Sequence, residues 1–304
     1  MQGVHPINTL PNDKSSENGM SLLRFYADYF NVVSLSLSGK YAKSVTTTFN
    51  HLFRYFGKNK ILSQITYREW ELFFLQLQMK APNGVDNYYR TLKAALNKAI
   101  EWEVVNENHL KKLKLPKRQK EEQPTLSKQE LQKIRVYLSN PMISAIVTTA
   151  FYTGLRLTEI INLKVRNIDL KSGFITIGDE SFITKSRRTR LVAICNEVDK
   201  ILSTLCKNKK TEDYVFGKTK KNPYTPDYVS RIFKRAVRKS NLSDKIHFHN
   251  LRHSYISLLA NDSRIPLAAV QQLAGHANIT TTMCYVHVNQ QELKQSVNIL
   301  NNIN

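Results

Sequence analysis

Residues 249–285 read HNLRHSYISLLANDSRIPLAAVQQLAGHANITTTMCY, and this segment is the most informative part of the chain. His249 and Arg252 lie three positions apart, a spacing that places both side chains on one face of a helix. Tyr285 follows His276 by nine residues. These four residues combine two imidazoles, a guanidinium and a phenol, a set of groups that can bind a phosphate and react with it.

Two upstream motifs extend this set of groups. The first is TGLRLTE at residues 153–159, in which Arg156 comes shortly after the helix-ending Gly154. The second is TKSRRTR at 184–190. Two arginines, two histidines, a lysine and a tyrosine suit an anionic pentacoordinate phosphorane, because planar guanidinium groups hold nonbridging oxygens through paired hydrogen bonds. No acidic metal site accompanies them in the sequence.

In type, spacing and order these motifs resemble those of the tyrosine recombinases, also called phage integrases. The resemblance rests on TGLR with Glu159, on HxxR at 249–252 and on GHxxxxTTxxY at 275–285. It covers roughly residues 20–300, since the helical first region is similar to the core-binding domain of that family. The resemblance implies a mainly α fold with a small antiparallel β-sheet in the catalytic domain, arranged as a two-domain C-shaped clamp around DNA.

The activity implied by the resemblance is site-specific DNA recombination. A tyrosine attacks the scissile phosphate and leaves a 3′-phosphotyrosyl bond and a free 5′ hydroxyl, and strand exchange passes through a Holliday junction. Because the ester conserves the bond energy, neither a nucleotide cofactor nor a metal is chemically required. The implied partner is double-stranded DNA with inverted-repeat half-sites, bound by a homotetramer on two DNA sites. Without DNA we expect a monomer or weak oligomer. The event would be integration or inversion by a mobile element, or Xer-like resolution of chromosome dimers.

The resemblance also implies a role for each motif residue. Tyr285 corresponds to the nucleophile, and Arg156 and Arg252 would neutralise the charge that develops on the phosphorane. Glu159 lies one helical turn after Arg156 and would support the site by orienting its basic groups.

Three further residues would move protons or contact the phosphate. His249 would act in proton transfer, and His276 would hydrogen-bond the phosphate. Lys185 would be the general acid that protonates the leaving 5′ oxygen. Lys171 is the weaker competitor for that role.

Residues 21–110 predict a helical, SAM-like core-binding domain, because four helical patterns are separated by short polar breaks. In the fourth pattern apolar residues recur at three- and four-residue steps from Tyr88 to Ala99 and form one face. Three cations fall elsewhere on this helix and are expected to face a phosphate backbone: Arg90, Lys93 and Lys98.

Residues 111–126 predict a basic linker, since prolines at 116 and 124 oppose helix continuation. Its cations are predicted to cross a DNA backbone: Lys111, Lys112, Lys114, Lys117, Arg118 and Lys120. The alternative is a solvated tether without contact to DNA.

Residues 127–304 form the predicted catalytic domain. Ser127 and Glu130 predict a capping box at the start of a helix, and apolar residues from Ile143 to Phe151 predict the next one, ending at Gly154. Thr158 is placed to cap another helix.

A change to period two in GFITIG and RLVAI predicts an antiparallel hairpin with a basic turn. The arginines of this turn either contact DNA or form a solvated hairpin: Arg187, Arg188 and Arg190.

Composition agrees with a DNA-binding protein. The 304 residues carry a formal net charge of +21, of the sign that attracts phosphate. No run of about 18 apolar residues and no signal-peptide pattern is present, so we expect no membrane partner and a cytoplasmic, nucleoid-associated protein. The three cysteines have no CxxC spacing.

Residues 1–20 predict a flexible N-terminal tail, and we expect no arm-site binding module ahead of Ser21.

Three alternatives belong to other classes of protein. HxHxxxH at 247–253 can mimic a zinc site, although carboxylates and thiols nearby are few. A catalytically idle DNA-binding regulator would keep the fold, but every reactive position is filled. A type IB topoisomerase-like enzyme would cleave and reseal DNA without exchanging partners.

The C-terminal segment 289–300 carries a narrow apolar stripe of Leu293, Val297 and Leu300. A stripe this narrow needs a host groove. In the resembling family such a helix docks on a neighbouring protomer, and the alternative is docking on its own domain.

Overall fold

The structure is a computed structural model that describes residues 19–36, 38–116, 123–178 and 189–286. The chain forms two compact units, Met1–Gln119 and Lys120–Asn304. Most of the predicted tail, the turn residues 179–188 and the C-terminal segment 289–300 lie outside the described residues. Within the described residues, no helix combines the length and the apolar character that crossing a membrane requires.

The described residues of the first unit form four α-helices and two short 3-10 turns. Their bounds are α1 Leu22–Ser36, α2 Gly39–Phe56, α3 Tyr67–Lys80 and α4 Val85–Glu101, with 3-10 turns at Leu62–Gln64 and His109–Lys111. Thr66 and Glu69 start α3 with a capping box: the Glu69 amide donates to Thr66 Oγ1 over 3.3 Å, and the Thr66 amide donates to Glu69 Oε2 over 2.8 Å.

Aromatic side chains fill the core of the first unit. The largest buried members are Phe25, Phe49, Trp70, Phe73 and Phe74. They meet in edge-to-face and tilted pairs, as at Trp70 and Phe73, whose ring centroids are 6.1 Å apart at 80°. On α4 the apolar face is buried as its spacing predicts.

Leu110, at the end of the predicted first domain, and Leu113, within the predicted linker, both belong to this core. Leu110 is fully buried and Leu113 is 8% exposed, both within the first unit's apolar cluster. Tyr89 donates its hydroxyl proton to the Leu110 carbonyl over 2.6 Å. Leu113 and Leu115 of the predicted linker are therefore packed on the core, whereas Lys111, Lys112 and Lys114 are exposed.

In the second unit, several helices and a small sheet pack around the helix α6. Its helices are α5 Lys128–Val136, α6 Pro141–Thr153, α7 Leu157–Ile161, α8 Asn196–Cys206, α9 Pro226–Lys239, α10 His249–Ala260, α11 Leu267–Ala274 and α12 Ile279–Met283. Its strands are β1 Ile168–Asp169, β2 Phe174–Ile177, β3 Arg190–Ala193, β4 Gly217–Thr219 and β5 Asn222–Pro223. The prediction of a mainly helical fold with a small antiparallel sheet is confirmed.

The predicted hairpin strands pair in the expected antiparallel sense. In the sheet β1–β2–β3, Ile175 lies opposite Val192 and Ile177 lies opposite Arg190. Ile175 and Val192 are fully buried, so one face of the sheet covers the core. Arg190 and Val192 share that inward face because side chains alternate along a strand.

Two termini of α6 are set by local chemistry. Asn140 Oδ1 accepts from the Met142 amide over 2.9 Å, and Pro141 occupies the first turn. Gly154 ends the helix in the left-handed region at φ 63°. A Cβ on this glycine would lie 2.3 Å from the Tyr255 ring, so glycine is required for both the turn and the packing.

The helix α10 also anchors the segment that enters the second unit. Asn250 Nδ2 donates to the Pro124 carbonyl over 2.8 Å, and the Leu126 amide donates to Ser254 Oγ over 2.6 Å. Asn250, Ser254 and Leu126 are all buried.

Candidate active site

The predicted catalytic residues within the described ranges all lie in the second unit. They are carried by the turn from α6 into α7, by α10, and by the loop from α11 through α12. A small apolar cluster of Ile256, Val270 and Ala274 supports α10 and α11, and Tyr285 packs against it.

Arg156 stands at the N-terminus of α7 and is held by Glu159. The Arg156 amide donates to Glu159 Oε2 over 2.8 Å, and Arg156 Nη1 donates to Glu159 Oε1 over 2.9 Å. The prediction that Thr158 caps this helix is wrong, because the helix already begins at Leu157 and Glu159 caps it from the third position. The Arg156 side chain is 45% exposed whereas that of Glu159 is 2% exposed, so the cation remains accessible to a ligand.

Arg190 completes the environment of Glu159. Its Nη1 donates to Glu159 Oε1 over 3.1 Å and its Nη2 to Oε2 over 2.7 Å. Burial of the Glu159 carboxyl opposes ionisation, but the bonds from Arg190 and Arg156 outweigh it and hold its pKa below the ordinary value. The placement of Arg190 among turn cations available to DNA is thereby corrected: its side chain is 14% exposed and points inward from β3 to Glu159.

Gly275 provides the space that Arg190 needs. This glycine ends α11 at φ 65°, and a Cβ built on it would come within 2.8 Å of Arg190 Cδ and Nε. Arg190 Nε is buried and has no hydrogen-bond partner among the described residues. The glycine that precedes His276 therefore allows β3 and the α11–α12 loop to approach each other.

Arg252 connects the two loops that carry the other site residues. It is 3% exposed, and its Nη1 donates to the Gly154 carbonyl over 2.6 Å while its Nη2 donates to the Ala274 carbonyl. Burial and then the neighbouring charge of Arg156 lower the pKa of Arg252 to about 10, so the guanidinium stays charged at neutral pH.

His276 is oriented by a buried hydroxyl. Its Nδ1 lies 3.0 Å from Oγ1 of Thr282, which is fully buried. Burial first, and then the charges of Arg252 and Arg156, lower the pKa of His276 to about 4. The imidazole is therefore neutral at pH 7.

Tyr285 is fixed through its backbone and its hydroxyl. Its amide donates to the Thr282 carbonyl over 3.0 Å, and its carbonyl accepts from Asn261 Nδ2 over 2.9 Å. The hydroxyl oxygen lies 2.6 Å from His253 Nδ1. The ring stacks on His276 with a centroid separation of 6.2 Å. Partial burial raises the pKa of the phenol.

His253 is the residue that the sequence reasoning missed. The sequence presented it only as part of a zinc-like pattern. It lies one turn after His249 on α10, and the two rings meet edge to face with centroids 4.7 Å apart. The signal that could have found it is this four-residue spacing, which puts both imidazoles on the helix face that carries Arg252. Partial burial, then Arg252 and Arg156, also lower the pKa of His249.

The structure describes only one of the two lysines considered for the role of general acid. Lys185 lies outside the described residues, as do Arg187 and Arg188. Lys171 is exposed in the turn between β1 and β2, where its amide donates to Asp169 Oδ1 over 3.0 Å. This turn is at the end of β2 opposite to the Ile177–Arg190 pair.

The predicted DNA-contacting cations of the first unit have different surroundings. Arg90, Lys111 and Lys114 are exposed. Lys93 lies over the Tyr89 ring at 5.5 Å. Lys98 pairs with Glu101 over 2.6 Å.

Lys112, the remaining described cation of the linker, pairs with Glu107 over 2.9 Å. The other predicted cations of the linker, Lys117, Arg118 and Lys120, lie outside the described residues. In the parts of the chain that the structure describes, no group of three or more histidines, cysteines or carboxylates is arranged to hold a metal ion.

Comparison with known proteins gives two family matches. Residues 124–292 match the phage integrase family, and residues 21–115 match the phage integrase SAM-like domain.

Three curated relatives illustrate the range of sequence similarity. A tyrosine recombinase of Thermosipho africanus is 33% identical over 48% of this chain and 50% of that protein, so the chain spans about half the length of this relative. Tyrosine recombinase XerA of Pyrococcus furiosus is 31% identical over 69% of this chain and 73% of that protein. Tyrosine recombinase XerD of Listeria innocua is 25% identical over 88% and 94%.

Two solved structures share the fold. The Tn1549 transposon integrase in complex with a circular intermediate DNA has a TM-score of 0.79 at 19% identity, over 92% of this chain and 99% of that chain. A lambda integrase tetramer bound to a Holliday junction has a TM-score of 0.76 at 19% identity, over 89% of this chain and 78% of that one.

Proposed function

The chain belongs to the phage integrase family, and on that basis we propose that it is a site-specific tyrosine recombinase that cleaves and rejoins DNA through a 3′-phosphotyrosyl intermediate. The observation that carries this proposal is the position of Arg252. By bonding to the carbonyls of Gly154 and Ala274, it joins the Arg156 loop to the loop that leads to His276 and Tyr285. Two guanidinium groups, an imidazole and a phenol thus share one site.

The arrangement supports an attack of Tyr285 on a phosphodiester. Arg156 is accessible and Arg252 is fixed, so together they supply positive charge for the two nonbridging oxygens. The P–Oη bond forms as the bond to the 5′ oxygen breaks, and the phenol loses its proton while the 5′ oxygen gains one. We assign His276 to a hydrogen bond with the phosphate and His249 to proton transfer.

We infer that Lys185 is the group that protonates the 5′ oxygen. The β2–β3 connection leaves the sheet at the Ile177–Arg190 pair, and Arg190 reaches the site through Glu159. Lys185 is five residues from Arg190, whereas Lys171 is in the turn at the other end of β2. Lys185 is therefore the lysine closer in sequence to a strand residue that reaches the site, and this favours it over Lys171.

We infer that the substrate is double-stranded DNA with inverted-repeat half-sites, bound by a homotetramer on two sites. The net charge of +21 supports a polyanionic partner, and lambda integrase was solved both as a dimer on a core site and as a tetramer on a Holliday junction. Integration, inversion and dimer resolution are all consistent with this chemistry. A type IB topoisomerase-like activity is the second candidate, because its cleavage step needs the same groups.

The test begins with mapping the DNA that the protein protects in its own genomic neighbourhood. A nicked suicide duplex with that sequence should then form a denaturant-resistant adduct with the wild-type protein, and Tyr285→Phe should bind the duplex equally but form no adduct. Addition of a chelator should leave the adduct unchanged. An adduct with the phenylalanine variant would refute the assignment of the nucleophile, and loss with chelator would favour the metal alternative.

A second assay separates recombination from relaxation. Two marked duplexes should exchange strands through a four-way intermediate on a gel if the protein is a recombinase. Relaxation of a supercoiled plasmid without exchange would favour the topoisomerase-like alternative, and binding without any adduct would favour the regulator.

A further inference from the structure

The hydroxyl of Tyr285 has a nitrogen base within hydrogen-bonding distance. Its oxygen lies 2.6 Å from His253 Nδ1, and the two rings are inclined by 31° with centroids 5.4 Å apart. A separation of this size is within the reach required of a general base. The contact is therefore suited to transfer of the phenolic proton.

Both ends of this hydrogen bond are held by one helix. His253 is part of α10, and Asn261 at the C-terminal end of the same helix donates to the Tyr285 carbonyl over 2.9 Å. The Tyr285 ring is also packed against the small apolar cluster that contains Ile256 of α10. Because a helix is rigid, the distance between imidazole and phenol is preorganised.

The protonation states give the hydrogen bond a direction. Burial, then His249 and Arg252, lower the pKa of His253 to about 4, so its ring is neutral at pH 7 and one nitrogen is free to accept. Burial raises the pKa of Tyr285, so the phenol keeps its proton before the reaction. A protonated phenol beside a neutral imidazole donates to it.

The other two histidines of the site are arranged for different contacts. His276 has its Nδ1 directed to the Thr282 hydroxyl, at 3.0 Å. His249 lies in the first turn of α10, and its ring packs edge to face against the ring of His253. Of the three imidazoles, His253 is the one placed at the nucleophilic oxygen.

We propose that His253 is a further catalytic residue, which takes over from His249 the role of accepting the proton of Tyr285 as the phenolic oxygen attacks phosphorus. The inference rests on the proposed function. The O–H bond breaks and the proton moves to Nδ1, while the oxygen lone pair forms the P–Oη bond and the 5′ oxygen departs with a proton from Lys185. In rejoining, the 5′ hydroxyl gives its proton to the Lys185 amine as its oxygen attacks phosphorus, the P–Oη bond breaks, and the imidazolium returns its proton to the phenolate.

Arrival of the phosphate favours this transfer. Burial and then the charges of His249 and Arg252 oppose an imidazolium at His253 in the free protein, and a phosphate anion bound at Arg156 and Arg252 would offset the part due to charge. The base thus becomes stronger when the substrate is bound.

The test compares His253→Asn and His253→Ala in single-turnover formation of the adduct on the suicide duplex. Asparagine can accept a hydrogen bond from the phenol through its amide oxygen but cannot take up the proton. Both variants should cleave about 100-fold or more slowly than wild type, a typical contribution of general base catalysis. His109→Asn, the same change at a half-buried histidine of the first unit, should react at the wild-type rate.

A substrate with sulfur in place of the 5′ bridging oxygen identifies the affected half of the reaction. Sulfur leaves without protonation, so the defect of Lys185→Ala should largely disappear while that of His253→Asn persists. Cleavage by His253→Asn within a few-fold of wild type would overturn the inference, since the contact would then only position the phenol. Rescue of His253→Asn by sulfur would also overturn it, because His253 would then act on the leaving group.

The outcome also separates this inference from the proposed function. If the wild-type protein forms no adduct, the proposed function fails and the inference fails with it. If the wild-type protein reacts and His253→Asn matches it, only the inference fails. Equal melting temperatures and equal affinities for DNA would establish that the asparagine variant is folded.

Discussion

Glu69 in the first unit and Glu159 in the second do the same local work in opposite surroundings. Each is the third residue of a helix, each accepts the amide proton of the residue three positions earlier over 2.8 Å, and each binds a basic side chain. The Glu69 side chain is 35% exposed and that of Glu159 is 2% exposed. A helix-capping carboxylate is thus a minor surface feature in one unit and the centre of a buried charge network in the other.

The largest effect is expected at Glu159. Glu159→Ala leaves Arg190 buried without a counterion and frees Arg156, so unfolding should require about 3–5 kcal/mol less and adduct formation should collapse. Glu69→Ala removes a similar cap and should cost about 1 kcal/mol. Urea unfolding and the adduct assay measure both. Equal losses of unfolding free energy in the two variants would mean that the burial of Glu159 makes no additional contribution to stability.

Gly275 probes the same network from the other side. Gly275→Ala introduces a Cβ against Arg190 at a positive φ, and should reduce stability by about 1–3 kcal/mol together with the rate of adduct formation. Gly173→Ala is the matched control, because Gly173 has φ 74° and nothing within 4 Å of the added carbon. If both variants lose stability equally and both keep activity, the contact with Arg190 does not position the site.

Arg190→Lys should have a smaller effect, because it keeps the charge but not the paired hydrogen bonds to Glu159. We expect the adduct rate to fall about 10- to 100-fold through displacement of Arg156, with DNA affinity nearly unchanged. A uniform loss of affinity for specific and random DNA, with an unchanged cleavage rate at saturation, would instead return Arg190 to the group of DNA-contacting cations.

The smallest effect is a pH dependence of stability. The pKa values of His253 and His276 are both lowered in the folded protein from 6.5 to about 4. Between these two pH values the unfolded chain therefore binds more protons than the folded chain does. Stability should be constant above about pH 6.5 and fall as the pH decreases toward 4. His253→Asn should flatten part of this decline in urea unfolding. An unchanged profile in His253→Asn would show that its imidazole is as easily protonated in the folded state.

Sequence patterns predicted the secondary structure where the local residue preferences and the pattern of burial favour the same element. Ser127 and Glu130 form the predicted capping box, Gly154 ends α6, and the two period-two segments pair as β2 and β3. Glu159 was expected to orient basic groups, and the structure places it between Arg156 and Arg190. The catalytic roles of the motif residues remain predictions.

The sequence does not reveal the contacts of residues whose neighbours come from distant parts of the chain. The run of basic residues at 187–190 hides that Arg190 faces inward, although its alternation with buried Val192 contains that information. His253 becomes informative only when Tyr285, 32 positions later, is brought to it. The leucines of the predicted linker pack on the core of the first unit. The number of charged residues in the linker gives no information about this packing.

The hydrogen bonds that Asn250 donates to Pro124 and that the Leu126 amide donates to Ser254 attach residues 124–126 to α10. His249, Arg252 and His253 occupy the same twelve-residue helix, each within two positions of Asn250 or Ser254. A displacement of residues 124–126 is therefore expected to shift α10 and, with it, the alignment of the imidazole and guanidinium groups.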